Sequence, residues 1–136
     1  RCHCNCAYGC VLDGCMSGNI KYDKWINDDN TENYKCRAWV NFNGTGTVAI
    51  RASGGVSSIT DTGTGQYIVN LTTAMADTNY SINLTAEFQA GTNSLPFIAA
   101  NTGSSGSKTT SAFGMAVYQP AYSYYDVSAV YAAIFR

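Results

Sequence analysis

Five of the six cysteines in this 136-residue chain fall within its first fifteen residues, as Cys2, Cys4, Cys6, Cys10 and Cys15; the sixth is Cys36, and the last hundred residues hold none. This asymmetry divides the molecule into a stem ruled by sulfur chemistry and a body that must fold by burying apolar surface. In Arg1-Cys2-His3-Cys4-Asn5-Cys6 every second residue is a thiol, so an extended backbone would line those sulfurs along one face. Such spacing suits bridges between neighbouring chains. Two other arrangements stay open: an intrachain disulfide framework, and a thiolate metal site to which His3 adds a nitrogen, although Cys-x-Cys matches none of the usual zinc-finger spacings. Cysteine usage of this kind points to an oxidising compartment, while assembly in a cytosol would keep the thiols reduced and leave metal binding open.

The chain is long enough for one ordinary core and too short for two, which predicts a Cys-rich, largely irregular stem and collar over residues 1–35 and one domain over 36–136. Charged residues make up only 12% of the sequence, about half the share of a typical soluble domain. From Ala38 to Arg136 there are seven. The body's surface must therefore rely on Thr, Ser, Asn and Gly, or be covered in part by other subunits. A net charge of −1 with no block of Lys or Arg removes the electrostatic footprint of nucleic-acid binding. The longest apolar run, 127–135, is too short to cross a bilayer as a helix, so membrane insertion is not expected. The start at Arg1 rather than Met suggests processing or, preferably, the end of a longer polypeptide.

Between residues 20 and 35 lie many of the charges, with Tyr22, Trp25 and Ile26 spaced for one or two helical turns; a short helix or an irregular collar fits equally well. Beyond Cys36 the texture changes to short alternating or β-branched runs punctuated by Gly, Asn, Asp and Ser, the pattern of antiparallel strands with tight connections. Strands are expected over 37–42, 47–51, 56–60, 66–72, 80–87, 97–101, 113–118 and 127–135. Tyr67, Val69 and Leu71 alternate with Ile68, Asn70 and Thr72, and Tyr80, Ile82 and Leu84 with Ser81, Asn83 and Thr85, so both segments read as half-buried strands. The last run is apolar on both faces and must sit centrally in a sheet or beneath a neighbouring subunit. Together these imply an all-β fold, an antiparallel β-sandwich of about eight strands with an irregular Cys-rich N-terminal stem. Asn43-Gly44-Thr45-Gly46 and Asp61-Thr62-Gly63-Thr64-Gly65 supply the positive-φ positions of hairpin turns.

Candidate chemistry is sparse. The single histidine, His3, sits in the cysteine tract, so a Ser-His-Asp arrangement on the body is excluded by count. Neither a phosphate-binding loop nor a dinucleotide fingerprint is present. Asp61, Asp77, Glu87 and Asp126 could supply a carboxylate pair for glycan hydrolysis, but turn and strand-flanking contexts explain each of them without catalysis, and no enzyme is expected. Four Asn-x-Ser/Thr triplets, at Asn43, Asn70, Asn79 and Asn83, read as strand composition rather than glycosylation. The stronger signal is aromatic: of ten tyrosines, Tyr118, Tyr122, Tyr124 and Tyr125 crowd around Gln119-Pro120-Ala121. Tyrosine offers a flat apolar face and a polar tip, which suits recognition of sugars or protein surfaces; packing at the sandwich end is the plainer explanation. The loop from Asn101 to Lys108 has the composition of an exposed connection and joins the tyrosines as a candidate receptor contact.

From Cys36 to Tyr80 the sequence Cys-Arg-Ala-Trp-Val-Asn-Phe-Asn-Gly-Thr-Gly-Thr-Val-Ala-Ile-Arg, then Val-Ser-Ser-Ile-Thr-Asp and Gly-Gln-Tyr-Ile-Val-Asn-Leu-Thr-Thr-Ala-Met-Ala-Asp-Thr-Asn-Tyr, resembles a C-terminal module of tail-fibre and related virion proteins of marine and freshwater bacteriophages, cyanophages among them. The closing Val-Tyr-Ala-Ala-Ile-Phe-Arg is similar to that family's terminus, and the Cys-x-Cys tract is similar to Cys/Asn-rich segments of such proteins. Residues 87–126 match no pattern of the family, as a region of variable specificity would. The resemblance implies a homotrimeric fibre tip on an extracellular virion, attached to other tail proteins and adsorbing to a host surface glycan or protein. It brings no catalytic residues. A second reading is a purely structural virion component, such as a capsid decoration or fibre-shaft protein, without a receptor.

Overall fold

The computed structural model describes residues 25–26, 32–33, 35–87, 97–101, 106–119 and 123–136. The stem cysteines Cys2, Cys4, Cys6, Cys10 and Cys15, together with His3 and Tyr122, lie outside them. The chain separates into compact units at residues 1–33 and 34–136. In the first unit, β1 (Trp25–Ile26) pairs antiparallel with β2 (Glu32–Asn33). Trp25 and Ile26 are thus extended rather than helical, which corrects the helical alternative. The intervening sequence Asn27-Asp28-Asp29-Asn30 explains why: Asn and Asp compete with helical hydrogen bonds through their side chains and favour turns.

In the second unit every expected strand is present: β3 (Cys36–Asn43), β4 (Ala49–Gly54), β5 (Val56–Gly63), β6 (Gln66–Leu71), β7 (Ser81–Ala86), β8 (Phe97–Asn101), β9 (Ala112–Tyr118) and β10 (Val130–Phe135). They form two antiparallel four-stranded sheets, ordered β4-β3-β10-β7 and β5-β6-β9-β8. The last strand begins three residues later than its apolar run suggests. Val127 precedes it, and its carbonyl accepts from the Gly44 N–H at 3.1 Å instead of joining a ladder.

Alternation fixes which residues enter the core. Ala38, Val40 and Phe42 of β3 and Val130, Ala132 and Ile134 of β10 point inward from one sheet; Tyr67, Val69 and Leu71 of β6 and Phe113, Met115 and Val117 of β9 point inward from the other. All are buried. Phe42 meets Tyr67 edge-on, with ring centroids 5.1 Å apart. Ile82 and Leu84, on the outermost strand of their sheet, are only partly covered but pack against this cluster. Burying a side chain of this size contributes about 1.5–3 kcal/mol, so the paired inner faces are the main source of stability.

The two-sided apolar strand finds its place within the chain: β10 lies between β3 and β7, bonded to both. At the sandwich end Tyr67, Gly65 and Asp126 form a polar knot. The buried Tyr67 hydroxyl shares its proton between Asp126 Oδ1 at 2.8 Å and the Gly44 carbonyl at 3.0 Å, and the Gly65 N–H donates to the same Asp126 oxygen at 2.6 Å. Gly65 has φ of 63°, and a Cβ there would come within 2.6 Å of the Tyr125 nitrogen, so both conformation and space demand glycine.

Candidate functional site

The tyrosine segment folds back on itself. Tyr118 closes β9 and bridges to Tyr124, their rings 4.9 Å apart and inclined by 31°. The Gln119 N–H donates to the Ser123 carbonyl and the Tyr125 N–H to the Val117 carbonyl, which fastens both ends of the turn. A hydrogen bond with Tyr124, reinforced by burial, holds the Tyr118 phenol above its ordinary range. Tyr125 packs against the core, while Tyr124 is exposed.

The other expected receptor contacts stand elsewhere. Asn101 ends β8 opposite Gly114. Lys108 is part-buried, its Nζ donating to the Tyr80 carbonyl at 3.0 Å and lying 4.8 Å from the centre of the Tyr80 ring. Lys108 precedes β9 and Tyr118 ends it, so about 20 Å of strand lies between them. The structure thus sets Lys108 and Tyr118 at opposite ends of β9, and it gives Lys108 a partner inside the fold.

Each body carboxylate has a local role. Asp61 accepts from the Gly63 N–H and Asp77 from the Asn79 N–H, in the turn geometry their contexts suggest. Asp77 also pairs with the exposed Arg136. Glu87 accepts from the Ser128 hydroxyl at 3.4 Å, and Asp126 belongs to the Tyr67 knot. Cys36 is an exposed free thiol whose Sγ donates to the Ala38 carbonyl. Among the described residues no three His, Cys, Asp or Glu gather as a metal site.

A different surface brings together two exposed aromatics, Trp39 and Tyr131. On the outer face of the β4-β3-β10-β7 sheet, Trp39 is 45% and Tyr131 39% exposed. The ladder sets Trp39 opposite Ala133, which is opposite Asn83; one step along, Asn41 faces Tyr131, and Tyr131 faces Thr85. These residues line a shallow depression of about 320 Å³. On β4, Gly54 lies opposite Trp39, and a Cβ added there would stand 2.6 Å from the indole nitrogen. A glycine at 54 lets the indole lean across β4.

No Lys, Arg, Asp or Glu of the described residues lines this depression, and one buried acceptor in it, Asn41 Oδ1, has no hydrogen-bond partner within the protein. The sequence carried half of this signal: once Ala38, Val40 and Phe42 are placed inside, Trp39 and Asn41 must face out. That Tyr131 would join them depends on which strand pairs with β3, and the local pattern does not encode that. No protein-family model, curated protein or solved structure matches the chain.

Proposed function

We propose that this domain is an attachment module of the phage tail-fibre type, carried on a virion as a homotrimer and adsorbing to a host surface glycan or protein. The observation that carries this reading is the pair of exposed aromatics, Trp39 and Tyr131, framing an uncharged depression on the outer face of a sheet. Large aromatics raised on a rigid sheet give contact area at low conformational cost, as recognition surfaces require. The charge-poor sequence and the resemblance of residues 36–80 and 130–136 to tail-fibre termini support the same reading. Tyr118, Tyr124 and Tyr125 act chiefly as packing at the sandwich end.

The stem gathers three chains through sulfur bridges, Cys2 of one chain to Cys4 of the next, and sedimentation with and without reductant measures this. Adsorption is tested by adding the purified chain to host cells ahead of virions. Saturable binding that blocks infection supports attachment. Absence of binding, with the protein located away from the tail tip, assigns it to the structural components of the virion.

A further inference from the structure

Resting on the attachment reading, we propose that the outer face of the β4-β3-β10-β7 sheet binds a neutral pyranose ring of a surface glycan. The ring lies against Trp39 and Tyr131, and its hydroxyl groups are taken by Asn41, Asn83 and Thr85.

The first argument is a contrast between polar side chains. Two outward amides of the body are engaged within the fold: Asn43 bonds Thr45, Thr47 and Arg51, and Asn70 bonds Ser58 and Thr60. Among the described residues, the side chains of Trp39, Asn41, Asn83, Thr85 and Tyr131 make no hydrogen bond. Five polar tips are thus unspent on one face, around one depression.

Asn41 sharpens the point. Its Oδ1 is buried with no donor from the protein itself. No internal bond holds its amide, so rotation about χ2 can present the carbonyl to a ligand hydroxyl. A ligand rich in O–H donors supplies what the fold leaves out.

Charge selects among such ligands. Trp39, Asn41, Asn83, Thr85, Tyr131 and the alanines beside them offer no cation for a uronate, sialate or phosphate and no carboxylate for an amine. A neutral sugar needs neither. One face of a pyranose carries C–H groups that pack on an aromatic ring, while its rim carries hydroxyls for amides. The volume, about 320 Å³, stands at the small end of the roughly 300–1,000 Å³ typical of ligand sites, which fits a terminal sugar better than a long chain.

A second copy of the chain is a poorer occupant. Were a second copy to close this face, the five polar tips of each would have to find partners across a twofold contact, and the oligomer readout in Trp39→Ala separates that case.

The test is titration of the full 136-residue chain with neutral probes (maltotetraose, cellotetraose and mannotetraose) and with an acidic one, an alginate tetrasaccharide. Affinity is measured by isothermal titration calorimetry for every protein, and in wild type and Asn83→Ala the indole N–H resonance of Trp39 is also followed by NMR. Expected are a saturable shift with at least one neutral probe, none with alginate, at least tenfold weaker binding in Trp39→Ala and Asn83→Ala, and partial rescue in Trp39→Phe. Absence of response to every neutral probe overturns the inference, as does binding of the acidic probe alone. If the chain still binds host cells through Trp39 while ignoring sugars, the attachment reading survives and the receptor at this face is a protein. Should Trp39→Ala instead dissolve an oligomer, the face is a contact between copies and the inference falls.

Discussion

The indole of Trp39 occupies the space above Gly54 where any other residue would place a Cβ, its nitrogen 2.6 Å from that position. Gly54→Val should therefore displace the indole without unfolding the protein, because Trp39 is exposed and free to swing outward. The expected stability change is within about 1 kcal/mol, together with an altered near-ultraviolet circular dichroism signal and weaker adsorption. Urea unfolding and a cell-binding assay measure the two parts separately.

Tyr67→Phe removes the hydroxyl that serves Asp126 and the Gly44 carbonyl at the buried end of the sandwich. A loss of about 1–3 kcal/mol is expected in urea denaturation. A loss below about 0.5 kcal/mol would show that the knot is not stabilising.

The same residue should impose a pH dependence. Burial, and after it the hydrogen bond to Asp126, hold the Tyr67 phenol far above its ordinary value of 10.0. The folded state then keeps a proton that the unfolded state releases above pH 10, so stability is fully present below that pH and falls as pH rises. The slope is about 1.4 kcal/mol per pH unit for this group. Chemical denaturation between pH 9 and pH 11 should show the decline in wild type and a shallower one in Tyr67→Phe. Tyr80, raised by burial, and Tyr118, raised by its hydrogen bond with Tyr124, act in the same direction.

Lys108→Met deletes the Nζ bond to the Tyr80 carbonyl and the cation over its ring. The expected cost is about 1–2 kcal/mol, with adsorption unchanged. Loss of adsorption at full stability would instead return the 101–108 loop to the receptor surface.

Tyr124→Ala breaks the ring pair with Tyr118 at the other end of the sheet. It should cost at most about 0.5–1.5 kcal/mol and leave host binding intact. If binding is lost while the thermal midpoint holds, the receptor contact belongs at the sandwich end.

The sandwich was readable because strand signals are local. Segments such as Gln66–Leu71 show the period of two that a half-buried strand must show, and the glycines at 46, 63 and 65 carry the positive φ that hairpin connections require. Lys108 was less readable. Composition makes its loop look exposed and adaptable, yet a partner far along the chain, Tyr80, captures its ammonium. The open face was less readable still, since its two aromatics come from the first and last strands of the body.

Residue order alone settled where the chain extends, where it turns and which side of most strands is apolar, because each of these follows from neighbours a few positions away. The tertiary structure decided that β10 enters between β3 and β7, that Tyr131 stands beside Asn41, and that Lys108 and Tyr118 fall at opposite ends of β9. A strand apolar on both faces can present either one, so its orientation waits on long-range pairing. Register with β3 sends Val130, Ala132 and Ile134 into the core and leaves Tyr131 in solvent beside Trp39.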